Sequence, residues 1–330
     1  VGTREALVRR ARLRRVSTSD IGGADARGAD ARAAHARGAD ARAAHARGAD
    51  ATTARTSPAD APLGRLAMNQ ATIPRWSTAE AIDGCARAGY GAIGLWRERL
   101  EPDGPAKASA RARAAGIAIS SLCRGGWFCA PDAVGRRRRA DDNRRAVDEA
   151  ADCGAAMLVL VCGPAATKDL EAGRREVADA VAELATYARA AGVPLAVEPM
   201  HPMYCGDRSV VVTLPQALEI ARSVADGGVG VVLDSYHLWW DPDLATAIAD
   251  AAGAVLGVQL ADWLAPPPHP LEGRGMLGDG TIELRRFLSL ADGTGYGGPV
   301  EVEIFNPAVW DADPAETLAV VACRYAEHVA

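Results

Sequence analysis

Glu198 in PLAVEP, Asp234 in VGVVLD, Gln259 in VLGVQL and Glu303 in VEVEIF each lie at or near the end of a short apolar run. Runs of this kind build strands buried on both faces, where an unpaired carboxylate costs several kcal/mol unless a cation or a hydrogen-bonding partner compensates it. Three carboxylates and an amide on one rim therefore point to a divalent metal. An all-oxygen donor set suits Mn2+ or Mg2+ better than a thiolate-seeking ion. Mn2+ is the first candidate, with Mg2+, Co2+ and Zn2+ as the other choices. Taken singly, each carboxylate could equally pair with one of the many arginines; four oxygen donors on successive strands favour the metal. Glu301 shares the strand face of Glu303 but lies deeper, so Glu303 is the expected ligand and Glu301 a supporting or ion-paired group.

Two histidines follow these strand ends at the same interval. His201 is three residues beyond Glu198 in EPMHP, and His237 is three beyond Asp234 in DSYHLWW. Both are expected just above the metal, where an imidazole can move a proton near neutral pH or bind a sugar hydroxyl. Arg274, in the glycine-rich segment LEGRGMLGDG, is expected on a flexible loop from which it brings a fixed positive charge to a substrate oxygen. Trp96 and Arg97 after the second apolar run, and Arg124 and Trp127 after the third, complete a rim on which a sugar ring can stack.

The elements that must position these groups are legible as a rhythm. From Leu66 onward eight apolar runs alternate with helical segments: residues 66–73, 92–96, 117–123, 157–162, 194–199, 229–234, 255–262 and 299–305. Between them lie stretches of 3.6-residue periodicity such as TAEAIDGCARAG and LEAGRREVADAVAELATYARAAG. Several stop at a glycine just before the next strand, as in RAAGIAISS and RAAGVPLAV, the expected cap of a helix-to-strand connection. Eight strand-helix units over residues 68–330 predict a (β/α)8 TIM barrel, a fold whose active sites lie at the C-terminal ends of the strands. A doubly wound open sheet would offer a glycine-rich phosphate loop after its first strand, and IPRWSTAE has none.

Residues 1–67 read differently. The decapeptide ARGADARAAH runs twice from residue 26 and begins a third time, with almost no large apolar residue. Such a segment buries too little to offset the entropy of ordering, so a disordered or weakly helical tail is expected, with Met68 as a candidate start. His35 and His45 recur with the repeat. This tail carries 13 Arg against 7 Asp and Glu, a net +6, so with −5 overall the rest of the chain is near −11. An acidic body argues against nucleic acid as partner. The run RRRR at 136–139, with Arg144 and Arg145, is the one basic cluster in the body and reads as a solvated loop and helix start. No run approaches the roughly 18 apolar residues of a membrane span. Seven scattered cysteines without a C-x-x-C pair suggest core residues in a reducing cytoplasm.

The segments EPMHP (198–202), LDSYHLWWDP (233–242), QLADW (259–263), GRGMLGDGTIE (273–283) and EVEIF (301–305) resemble the xylose isomerase-like barrel superfamily of sugar isomerases, epimerases and endonuclease IV. The resemblance covers residues 68–330. It implies a divalent-metal-dependent sugar isomerase or epimerase that removes a proton alpha to a carbonyl, with Glu198 and Glu303 matching the two proton-transferring carboxylates. The usual ligand quartet of its ketose epimerases is Glu-Asp-His-Glu, and here Gln259 stands where the His would be. Endonuclease IV needs a trinuclear zinc cluster with more histidines than the four in this body.

A narrower likeness, in MNQATI, IGLWR, SSLCRGGWF and EPMHP, is to the large subunit of bacterial C-glycoside deglycosidases. It implies a lyase acting on 3-keto-glycosides with His201 as base. A barrel that binds sugar without turnover is the non-enzymatic alternative. The expected partner is a small sugar or keto-glycoside, with a second copy or a small subunit as protein partner. FNPAVW after the eighth strand is not glycine-rich, so an unphosphorylated ligand is expected.

Overall fold

The computed structural model describes residues 63–100, 104–225 and 227–330. The expected tail, with its repeat and both of its histidines, lies outside the described residues up to residue 62.

Among the described residues, eight parallel strands close into a barrel. They are β1 (Leu66–Asn69), β2 (Ala92–Trp96), β3 (Ala118–Gly126), β4 (Leu158–Val161), β5 (Leu195–Val197), β6 (Val229–Asp234), β7 (Val255–Leu260) and β10 (Val300–Val302), with β1 bonded to both β2 and β10. Between β7 and β10 in sequence, β8 (Asp262–Trp263) and β9 (Arg274–Gly275) pair antiparallel as a small ribbon. The helices are α1 (Thr78–Arg87), α2 (Pro105–Ala115), α3 (Ala133–Cys153), α4 (Leu170–Ala191), α5 (Leu214–Ser223), α6 (Ser235–Leu238), α7 (Leu244–Asp250), α8 (Leu284–Gly293), α9 (Pro307–Asp311) and α10 (Pro314–His328). This is the predicted TIM barrel. The first strand begins at Leu66, two residues before the expected boundary at 67/68, and Leu66 and Met68 pair with Val300 and Val302.

Local chemistry explains where the helices start and stop. Ser77 and Glu80 exchange bonds in a capping box at the head of α1: the Ser77 hydroxyl accepts from the Glu80 N–H, and Glu80 accepts from the Ser77 N–H. Such a cap is worth about 1 kcal/mol. The α4 helix ends at Gly192 with φ of 72°, a left-handed turn that a side chain would strain. The arginine run expected as loop and helix start lies wholly inside α3, because Asp132 caps that helix by accepting from the Gly135 N–H at 2.7 Å. Arg144 and Arg145 pair with Glu183 and Asp142 on the surface.

Strand parity then separates two interiors. Leu195, Val197, Val231, Leu233, Val258, Leu260, Val300 and Val302 belong to the main core between the sheet and the helices. Their alternates point into the barrel. There Cys123, Met157, Val159, Ala196 and Val232 form a separate apolar cluster. By the same alternation Glu198, Asp234, Gln259, Glu301 and Glu303 face the barrel axis. Five cysteines (85, 123, 129, 153 and 162) are buried as small core residues. No helix among the described residues is long and apolar enough to cross a membrane.

Candidate active site and metal centre

The strand register stacks the oxygen-bearing groups in two levels. Asp234 is beside Gln259, and Gln259 is beside Glu301. Glu303 lies two residues further up its strand. Glu198 follows β5 directly, its N–H bonded to the Leu160 carbonyl at 3.1 Å.

The lower level is a polar network centred on Glu301. The Asn69 amide donates to Glu301 Oε2 at 3.0 Å, and Gln259 Nε2 donates to the same oxygen at 3.2 Å. A carboxylate only accepts, so Glu301 fixes which end of the Gln259 amide it receives. Among the described residues Gln259 Oε1 is buried and without a hydrogen-bond partner. Burying such an acceptor costs roughly 1–3 kcal/mol unless something occupies it. A cation fits that requirement, and the donor set answers the same test. Ligand atoms of Glu198, Asp234 and His237 lie within 4.8 Å of one another, all buried.

His237, expected as a substrate contact above the metal, thus belongs with Glu198 and Asp234 to a group of side chains that could hold a cation. Its Nε2 is 3.6 Å from Asp234 Oδ2, 3.9 Å from Glu198 Oε1 and 3.2 Å from an Arg274 terminal nitrogen. Arg274 can only donate, so His237 Nε2 accepts and the ring is neutral. Burial first, and then the Arg274 charge, holds its pKa well below the usual histidine range.

Arg274 departs most from expectation. Rather than riding a flexible loop it is 3% exposed, held in the ribbon strand β9. One guanidinium nitrogen reaches Asp234 Oδ2 at 3.1 Å and Glu303 Oε2 at 2.9 Å. Its flat group lies between the Tyr236 and Phe305 rings, 4.9 Å from each centroid. The physical reason is Asp262, whose carboxylate accepts from the N–H groups of Gly278, Gly280 and Ile282 at 2.9 to 3.0 Å and so pins the glycine-rich segment. Arg274 Nε is buried and unpartnered.

Burial raises the carboxylates. Glu198 is pushed well above the usual range by desolvation and then by Glu303 and Asp234. Glu303 is raised to about 7 by burial, with Arg274 opposing. Asp234 is raised by burial against the pull of Arg274.

Glu198, Glu303, His237 and Arg274 line a cavity of about 140 Å³ whose other walls include Trp96, Cys123, Arg124, Trp127, Arg208 and Phe305. Trp96, Arg124 and Trp127 therefore stand where the sequence placed them. Trp96 is held by an Nε1–H bond to Asn69 Oδ1 at 2.7 Å and meets Phe305 edge-on at 5.7 Å. Trp127 has φ of 52°, a left-handed setting that costs a non-glycine residue about 1–3 kcal/mol. Arg97 is not a rim contact: Glu149 and Asp142 take its charge at 2.5 and 3.3 Å.

His201 does not line the cavity. Its Nδ1 accepts from the Met203 N–H at 3.2 Å, and its ring stacks on Trp263 with centroids 5.0 Å apart. In the neutral ring the proton is then on Nε2, which leaves no free basic nitrogen. Arg208, Phe305 and Asp262 escaped sequence reasoning. The position of Asp262 at the end of an apolar run was the one available signal for it.

Residues 82–326, well over half the chain, match the model of the xylose isomerase-like TIM barrel family. The chain belongs to that family. Within this xylose isomerase-like family, a ketose 3-epimerase of Arthrobacter globiformis is 29% identical over 181 residues, 53% of this chain and 58% of the epimerase. Inosose isomerases and 3-dehydroshikimate dehydratases are further relatives. The chain spans about half the length of the first curated relatives it matches.

Among solved structures, protein SMc04130 of Sinorhizobium meliloti 1021 is 46% identical with a TM-score of 0.78, covering 80% of this chain and 98% of that one. The IOLI protein, described with a bound zinc atom, shares the fold at 23% identity and a TM-score of 0.71, covering 80% of this chain and 98% of that one. The named relatives are thus isomerases, epimerases and dehydratases.

Proposed function

We propose that this barrel is a divalent-metal-dependent sugar isomerase or epimerase that exchanges the proton on the carbon next to a carbonyl. The observation that carries it is two buried carboxylates, Glu198 and Glu303, facing one small cavity beside the Asp234–His237 pair. Glu198, Asp234, Gln259 and Glu303 would hold Mn2+, with His237 Nε2 near Asp234 and Glu198. When bound, a cation there would supply polarisation of the substrate carbonyl, which would acidify the C–H on the adjacent hydroxyl-bearing carbon.

The rest belongs to the chain's own side chains. Glu198 and Glu303 both face the cavity, where a buried carboxylate can take a proton from the substrate carbon and return it. Two such groups in one cavity let one remove the proton and the other return it, the requirement for inversion. Arg274 keeps an unused Nε–H donor at the cavity wall for a substrate oxygen. The apolar faces of Trp96, Trp127 and Phe305 exclude water from the remaining side.

The lyase reading has less support. It places the base at His201, whose Nδ1 is engaged by the Met203 N–H and whose ring lies away from the cavity lining. The test is solvent deuterium incorporation by the Mn2+-loaded protein into ketoses, inososes and 3-keto-glycosides. Epimerase chemistry gives exchange with inversion and no released aglycone. Glu198→Gln and Glu303→Gln each abolish exchange while the thermal transition is retained. Exchange that survives in both variants, or release of an aglycone, removes the reading.

A further inference from the structure

The cavity holds three arginines but matches only one of them with carboxylates. The charge of Arg274 is matched by Asp234 and Glu303 through one terminal nitrogen. Arg124 and Arg208 line the same cavity and are not matched in this way. Among the described residues no carboxylate lies within 4.0 Å of the Arg124 guanidinium, which instead lies over the Trp127 ring, 4.0 Å from its centroid. Among the described residues the one carboxylate within 4.0 Å of Arg208 is that of its own neighbour Asp207, at 3.8 Å, beyond hydrogen-bond reach.

Both groups are half-buried and both are held in place. The Arg124 carbonyl receives an Arg97 N–H at 3.2 Å, and Arg97 is itself anchored by Asp142 and Glu149. The segment carrying Arg208 is tied to the other side of the same corner, since Ser209 bridges to Gly163 and the Val210 N–H reaches the Gly163 carbonyl at 2.8 Å. Gly163 has φ of 84°, and a Cβ there would come within 2.8 Å of the Trp127 Cα. One backbone corner therefore sets the stacking ring for Arg124 and the strap for Arg208.

Two like charges are poorly placed on one small cavity wall unless an anion joins them. Burial and the neighbouring Arg208 and Arg97 all disfavour the charged form of Arg124; Glu98 and Cys123 oppose them. Planar guanidinium groups are the side chains best suited to receive a carboxylate or phosphate. The cavity is also small, about 140 Å³ against the roughly 300 Å³ at the lower end of ordinary ligand pockets. That size suits a single ring or short chain with a compact anion.

On the reading of this site as a sugar isomerase or epimerase, we infer that its substrate is an anionic keto-sugar, a keto-sugar acid whose carboxylate is received by Arg124 and Arg208 on the wall facing the strand-end carboxylates.

The test is calorimetric titration of the Mn2+-loaded full chain with three probes of one carbon skeleton: D-fructuronate, D-fructose and D-fructose 6-phosphate. Wild type should bind fructuronate at least tenfold more tightly than fructose. The Arg124→Gln/Arg208→Gln double variant, shown folded by its thermal transition, should bring that ratio close to one. Lysine at both positions should restore part of it.

Equal binding of fructose and fructuronate, no binding of fructuronate, or a preference that survives in the folded double variant each overturns the inference. Tighter binding of the phosphate than of the carboxylate also overturns it and assigns the wall to a phosphoryl group. Deuterium exchange separates this result from the functional reading. Selective fructuronate binding without exchange into any sugar removes the epimerase and leaves the anion site. Exchange into neutral ketoses, with no anion preference in binding, does the reverse.

Discussion

The two halves of the barrel mouth are chemically unlike. On β5, β6, β7 and β10 the inward strand ends are Glu198, Asp234, Gln259 and Glu303, with Arg274 laid across two of them. On β2, β3 and the turn after β3 the corresponding positions carry Trp96, Cys123, Arg124 and Trp127. The first half concentrates negative charge that must be neutralised from within the site. The second offers flat faces and unmatched positive charge. On the proposed reading one half holds a cation and moves a proton, and the other fits and orients what comes between.

The largest break in that contrast should come from the acidic half. Glu198→Gln should lower proton exchange at least about 10³-fold, read by deuterium incorporation, as expected for loss of a positioned base. Arg274→Met should cost the cation-free protein about 3–5 kcal/mol in urea unfolding, because Asp234 and Glu303 lose their buried counter-charge. Saturating Mn2+ should recover part of that loss.

Next in size is a pH effect confined to the same half. Glu303 is raised by burial to about 7, and Glu198 and Asp234 are raised too. A carboxylate whose folded pKa exceeds its unfolded value keeps more protons when folded, so stability falls as pH rises through that interval. The thermal midpoint of the cation-free protein should therefore drop between pH 4.5 and 7, and Glu303→Gln should flatten the drop. A midpoint that rises across this range would show that the carboxylates are not desolvated.

Smaller still should be Asn69→Ala. It removes one of the two amides on Glu301 and loosens the orientation of Gln259, so Mn2+ affinity by titration should weaken about 10–100-fold. The mildest expected change lies in the other half. Trp127→Leu removes the ring under Arg124 and should raise KM several-fold with little change in kcat, sharpening the division between fitting and chemistry.

Much of the barrel was legible because its signals are local. Alternation within a strand, a Ser-to-Glu capping box and a glycine after a helix all act over a few residues. The arginine run is solvent-exposed in the first turns of α3, as expected of a helix start, but no part of it is loop, because Asp132 and not a later residue caps that helix.

The sequence by itself determined which side chains face the barrel axis and at which end, since strand period and strand direction leave no choice once eight runs alternate with helices. It also determined that hard oxygen donors gather on one side. Tertiary structure alone decided the partners. Glu301 selects the orientation of Gln259 from 42 residues away and is itself held by Asn69 from 232. Arg274 is swung onto Asp234, 40 residues distant, by a ribbon that Asp262 pins. His201 is drawn aside by Trp263 and a backbone N–H, while Arg208 is carried to the cavity by a strap no local pattern announces. Hydrogen bonds and ion pairs are short-ranged in space but indifferent to separation along the chain, so only closure of the barrel could choose among them.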